Sequence, residues 1–100
     1  MTGVEPIRAE FYTKEDCSLC REMKAVIERL RTDYALALRE IDITTDPSLV
    51  ARFAAEVPVL FLDGRKAFKS RISERALRRA LDRLLLRRRV RRMAGKGAAG

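Results

Sequence analysis

The sequence contains no histidine and no tryptophan, and only two cysteines, three prolines and six aromatic residues in 100. Without histidine, no Cys–His nucleophile pair and no His-containing metal site can form. In a cytosol that keeps thiols reduced, a close cysteine pair is more often catalytic or metal-binding than a structural staple. Long apolar runs are missing too. The longest around a strand is Val57 to Leu62, far below the ~20 residues that span a bilayer. Residues 1–10 hold no apolar stretch of signal-peptide length. The expectation is a soluble, cytoplasmic protein.

What is present fits one small globule. Hydrophobic residues make up 47% of the chain, and 100 residues leave no room for a second core. The formal net charge is +8, unevenly spread. Residues 1–70 carry 11 Lys/Arg against 12 Asp/Glu, a net of −1. Residues 71–100 carry 11 against only Glu74 and Asp82, a net of +9. Any affinity for anions therefore belongs to the C-terminal end.

The pattern along the chain alternates strands and helices. Ile7 to Thr13 reads as a strand, with aromatics and partial alternation. Leu19, Met23, Val26, Ile27 and Leu30 then form one apolar stripe, which predicts a helix from Ser18 to Thr32. Ala35 to Ile43 reads as a second strand. Asp46 can cap a short helix with Pro47 at its first position, burying Leu49, Val50, Phe53 and Ala54. Val57 to Asp63 is apolar enough for a central strand. Asp63-Gly64 signals a hairpin into Arg65–Lys69. Ser73 can cap a last helix that buries Ile72, Ala76, Leu77, Ala80, Leu81, Leu84 and Leu85. The order βαβαββα predicts an α/β fold, a four-stranded mixed sheet with helices on both faces. Residues 1–87 form the domain, and 88–100 a basic, flexible tail whose last stretch, 94–100, is disordered.

The chemistry centres on Cys17-Ser18-Leu19-Cys20. Cys17 ends the loop after the first strand, and Cys20 lies one turn into the helix. That spacing lets the sulfurs bridge. Cys17 meets the unpaired N–H groups and positive end of the helix, which stabilise a thiolate. A free thiol with pKa near 8.5 is about 3% ionised at pH 7, and lowering the pKa to ~7 makes it half ionised. Lys14 favours the thiolate, while Glu15 and Asp16 oppose it if they turn toward the sulfur. Two other readings of the pair stand beside this one. One is half of a zinc site, completed by a dimer or by carboxylates. The other is two inert thiols. Pro58 is the second signal. A proline inside an apolar strand loses a ladder hydrogen bond, and a cis Val57-Pro58 bond would explain it by turning the Val57 backbone toward the cysteines and an extended substrate.

These residues resemble the glutaredoxins of the thioredoxin-fold superfamily, in particular short bacterial proteins with Cys-x-Leu-Cys. The likeness rests on Phe11 to Cys20 and on Glu56 to Phe61, and spans roughly residues 6–86. It implies a thioredoxin-like fold and a dithiol–disulfide oxidoreductase. Cys17 would be the nucleophile, Cys20 the resolving thiol and Pro58 the facing cis-proline, with Lys14 and the Val57 backbone contacting substrate. It also implies a disulfide-containing protein or small thiol as substrate, and glutathione or a thioredoxin-reductase-like protein as reductant. No tightly bound cofactor, no metal, no membrane and no nucleic acid are expected, and the chain is expected to be a monomer. The sequence departs from the family at Leu19, where glutaredoxins carry Tyr, and at Glu56, where they carry Thr. It also lacks the Gly-Gly and acidic pair after the hairpin that hold glutathione. The alternative function is a non-catalytic binding module that uses the Arg-rich end for an anionic partner.

Overall fold

A computed structural model describes residues 5–99, with the backbone alone for residues 95–99. The elements are β1 (Ile7–Thr13), α1 (Ser18–Leu30), β2 (Leu36–Asp42), a 3₁₀ turn (Ile43–Thr45), α2 (Pro47–Phe53), β3 (Val59–Leu62), β4 (Arg65–Lys69) and α3 (Glu74–Ala99). The sheet order is β2-β1-β3-β4. β1 and β2 run parallel through the α1 crossover, with Ile7 opposite Leu36 and Thr13 opposite Asp42. β3 returns antiparallel to β1, and β4 antiparallel to β3. This is the mixed four-stranded sheet that the sequence predicts.

Alternation along the strands divides the core in two. Ile7, Ala9 and Phe11 of β1 and Leu60 and Leu62 of β3 meet α1 and α3 on one face. Tyr12, Val59 and Phe61 meet Ile43 and Phe53 on the other. α1 buries Cys20, Met23, Val26, Ile27 and Leu30, and α3 contributes Leu77, Leu81 and Leu84. Each buried Val, Leu, Ile, Phe or Met among these contributes roughly 1.5–3 kcal/mol by leaving water.

The turn chemistry follows the sequence. Asp63 and Gly64 both adopt positive φ, 49° and 85°, the pair of angles a two-residue hairpin loop needs. Asp46 caps α2 by accepting from the Ser48 N–H at 2.9 Å, with Pro47 at the first turn. Ser73 Oγ accepts from the Ala76 N–H at 3.1 Å and caps α3.

Some details differ from the sequence reading. Val50 is exposed, as is Ala54, so only Leu49 and Phe53 of α2 turn inward. A helix of 7 residues has barely two turns, and one side of it meets the sheet. The ladder of β3 begins at Val59, because Pro58 has no N–H to donate. Lastly, α3 runs on as helix to Ala99 and shows no backbone break near residue 87 or at 94. Beyond Leu86 the arginines and Met93 favour helix, and Arg88 ties the segment to Glu5, Pro6 and Asp63.

Candidate active site around the Cys17–Cys20 pair

The C-terminal end of β1 hands the chain to α1 through Lys14, Glu15 and Asp16, all exposed. Asp16 sits at φ 54°, a left-handed conformation that aspartate tolerates. This kink ends the strand and lets Cys17 begin the helix. Cys17 is the N-cap residue of α1. Its Sγ accepts a hydrogen bond from the Cys20 N–H at 3.1 Å. A sulfur thus occupies the position where a serine or aspartate oxygen normally satisfies an orphan N–H.

The two cysteines are joined as a disulfide with Cα atoms 5.2 Å apart. Their environments differ. Cys17 is half-buried at the surface, whereas Cys20 is only 3% exposed and belongs to the core of α1. A reagent from solution therefore meets Cys17 first.

The Val57-Pro58 bond is cis. Carrying the β1–β3 register past its last rung, Tyr12 opposite Val59, sets Pro58 opposite Thr13 and Val57 opposite Lys14. The proline therefore lies at the sheet end from which the cysteine loop springs. Pro58 is fully buried, and its carbonyl accepts from the Ser70 N–H at 2.7 Å. The Val57 N–H donates to the Phe53 carbonyl at 3.0 Å. Only the Val57 carbonyl lacks a partner among the described residues, so this backbone offers an acceptor but no donor.

A shallow cavity of about 470 Å³ opens beside the pair. Lys14, Cys17 and Cys20 line it, together with Arg21, Lys24, Glu40 and Asp42. Val57 and Pro58 do not. The pair thus stands between two flanks, a charged one toward β2 and the proline backbone toward β3. The charged flank is not evident from the cysteine motif. Arg21 and Lys24 each stand four residues after a cysteine, a spacing that places them on the same helix side. Glu40 and Asp42 become visible only through the parallel register of β2.

The charges on this flank are largely committed. Lys24 Nζ lies 2.9 Å from Glu40 Oε1, and the hydrogen bond to Glu40 raises the lysine above its ordinary value. Asp42 is held below the usual carboxylate range by the Thr44 hydroxyl and by the Thr44 N–H. Glu56, just before Val57, is likewise lowered by its bond to Lys66.

A smaller cavity of about 120 Å³ lies between α1 and the segment before α3, lined by Leu19, Glu22, Met23, Ser70, Arg71 and Ile72. Here Ser70 takes a positive φ of 65° in place of a glycine.

Comparison with known proteins adds to this geometry. The family described as Glutaredoxin-like domain matches residues 8–82. Among solved structures, protein Ne2328 from Nitrosomonas europaea is similar at 26% identity and TM-score 0.66, over 77% of this chain and 93% of that one. Protein XcR50 from X. campestris is similar at 28% identity and TM-score 0.64, over 74% and 95%. A mutant thioredoxin from Halobacterium salinarum shares the fold at 24% identity and TM-score 0.54, over 71% and 67%. No curated protein matches the sequence.

Proposed function

The chain belongs to the glutaredoxin-like domain family, and from that premise we propose that it is a small dithiol–disulfide oxidoreductase with Cys17 as its nucleophile. One observation carries the reading. Cys17 caps α1 at the surface and takes the Cys20 N–H on its sulfur, while Cys20 lies beneath it, 3% exposed.

The cycle starts from the reduced pair. The Cys17 thiolate attacks one sulfur of a substrate disulfide. The substrate S–S bond breaks, and its other half leaves as a thiolate that takes a proton from water. Cys20 then loses its proton and attacks Cys17 Sγ. The mixed disulfide breaks, the second substrate thiol departs, and the Cys17–Cys20 disulfide forms. Two electrons have passed to the substrate. Two glutathione thiols, which become glutathione disulfide, or the dithiol of a thioredoxin-reductase-like protein then supply two electrons and two protons that reopen the Cys17–Cys20 disulfide. During the mixed-disulfide stage the Val57 carbonyl accepts a hydrogen bond from an extended substrate, and Lys14 attracts its negative charge.

Reduction of insulin, or of a small disulfide, coupled in turn to glutathione and to thioredoxin reductase tests this reading. Wild type turns over with at least one donor, and Cys17→Ser does not. Cys20→Ser accumulates a mixed disulfide on Cys17, seen by mass spectrometry. Equal inactivity of wild type and Cys17→Ser with both donors would overturn the proposal.

A further inference from the structure

The apolar side of α3 changes faces near its middle. Leu77, Leu81 and Leu84 face the core, and the half-buried Arg88 continues that side. Leu86 stands two residues beyond Leu84, about 200° around the helix. Val90 and Met93 follow Leu86 at steps of four and three, on the same solvent side. These three are 59%, 56% and 64% exposed. Arg83 and Arg87 border the stripe on one edge and Arg89 on the other, all exposed. An exposed apolar stripe between rows of arginine has no partner within the described residues.

We propose that this segment, Leu86 to Met93, docks the protein on an anionic phospholipid bilayer. The helix lies in the interface. Leu86, Val90 and Met93 enter the acyl boundary, and the arginines reach phosphate and other anionic headgroups along their flexible stems. Charge complementarity selects this occupant. A second copy of the chain would bring one +9 end against another, on a seam of about two turns, too short to hold a coiled coil. A nucleic acid would use the arginines but gain nothing from the apolar stripe. Residues 71–100 also hold no aromatic side chain for base stacking. No described helix is long and apolar enough to cross a membrane, but a helix lying on the surface needs no such length.

The position in the fold suits an anchor. Arg88 bonds the carbonyls of Glu5 and Pro6, before β1, and the Asp63 carboxylate in the hairpin. Both lie at the sheet end where β1 begins. Cys17 follows the other end of β1, roughly 20 Å away at the usual rise per strand residue. The docking segment and the dithiol therefore belong to opposite ends of β1.

Flotation of the full chain with vesicles tests the proposal. The probes are phosphatidylcholine alone and phosphatidylcholine mixed with phosphatidylglycerol. Partition onto the mixed vesicles should be about tenfold higher or more, and weaken as salt rises. Val90→Ser with Met93→Ser keeps the charge and should lower partition about fivefold. Arg87→Glu, Arg89→Glu and Arg92→Glu together should bring it to background. Both variants alter exposed side chains and leave Arg88 in place, so their thermal melts and disulfide reduction should match wild type. Equal partition of wild type onto the two vesicles would overturn the proposal. So would wild-type partition of the serine variant, which would reduce the effect to plain charge adsorption. Displacement from the vesicles by an oligonucleotide at equal phosphate concentration would assign the surface to nucleic acid instead.

Discussion

At the scale of single residues, the fold and the chemistry draw on different signals. Cys17, Cys20 and Pro58 stand out in the sequence because each residue type is scarce. The commitment of the Val57 N–H to Phe53 was not legible, since it depends on how α2 ends against the start of β3. Arg88 was not legible either. Within a run of arginines it looks like its neighbours, yet it alone is half-buried and pairs with Asp63 Oδ2 at 2.8 Å. Asp63 in turn accepts from the Arg8 N–H at 3.0 Å. Arg88→Ala should therefore cost about 1–2 kcal/mol in a urea melt, near the low end for hydrogen bonds to charged groups. Arg89→Ala, beside it and exposed, should cost almost nothing. The acidic side chains give a pH dependence. Thr44 holds Asp42, Ser48 holds Asp46, Lys66 holds Glu56 and Arg29 holds Glu74 below the ordinary carboxylate range. A carboxylate depressed in the folded state contributes stability above its unfolded pKa, about 4, and loses it as pH falls through the folded value. The melting temperature should thus stay level near neutral pH and fall below about pH 4. Asp46→Asn should flatten part of that fall.

At the scale of elements, helix stripes and the hairpin were readable because periodicity and turn residues are local. The sequence predicts α1 to Thr32, and the helix ends at Leu30. The apolar pattern of α2 includes Val50, but a two-turn helix has one inward side. The buried stripe read from the sequence stops at Leu85, and the second stripe, Leu86, Val90 and Met93, was hidden among the arginines that follow. Only packing separates Leu84, which is buried, from Leu86. Two element-level predictions follow from geometry. Gly64 sits at φ +85°, so Gly64→Ala should destabilise the hairpin by about 1 kcal/mol in a denaturant melt. In the reduced protein, Cys17→Ser should keep the α1 cap, whereas Cys17→Ala should lower stability by about 1 kcal/mol. Loss of activity in the serine variant can then be read as lost chemistry rather than a lost helix end.

At the scale of the whole molecule, two poles emerge at the two ends of β1. One carries the cysteine loop, the cis proline and the charged flank from β2. The other carries the hairpin, the start of β1 and the basic half of α3, joined through Arg88. Truncation after Leu86 removes that clasp and should lower stability as Arg88→Ala does, while truncation after Met93 should not, measured by the same urea melt. At the first pole the two thiols differ in exposure, and competitive alkylation reads that difference. The reduced protein is treated with limiting iodoacetamide at neutral pH, and the two thiols are followed by peptide mass spectrometry. Cys17 should be modified at least tenfold faster, because it is surface-facing while Cys20 is 3% exposed. Equal rates, or faster modification of Cys20, would contradict it.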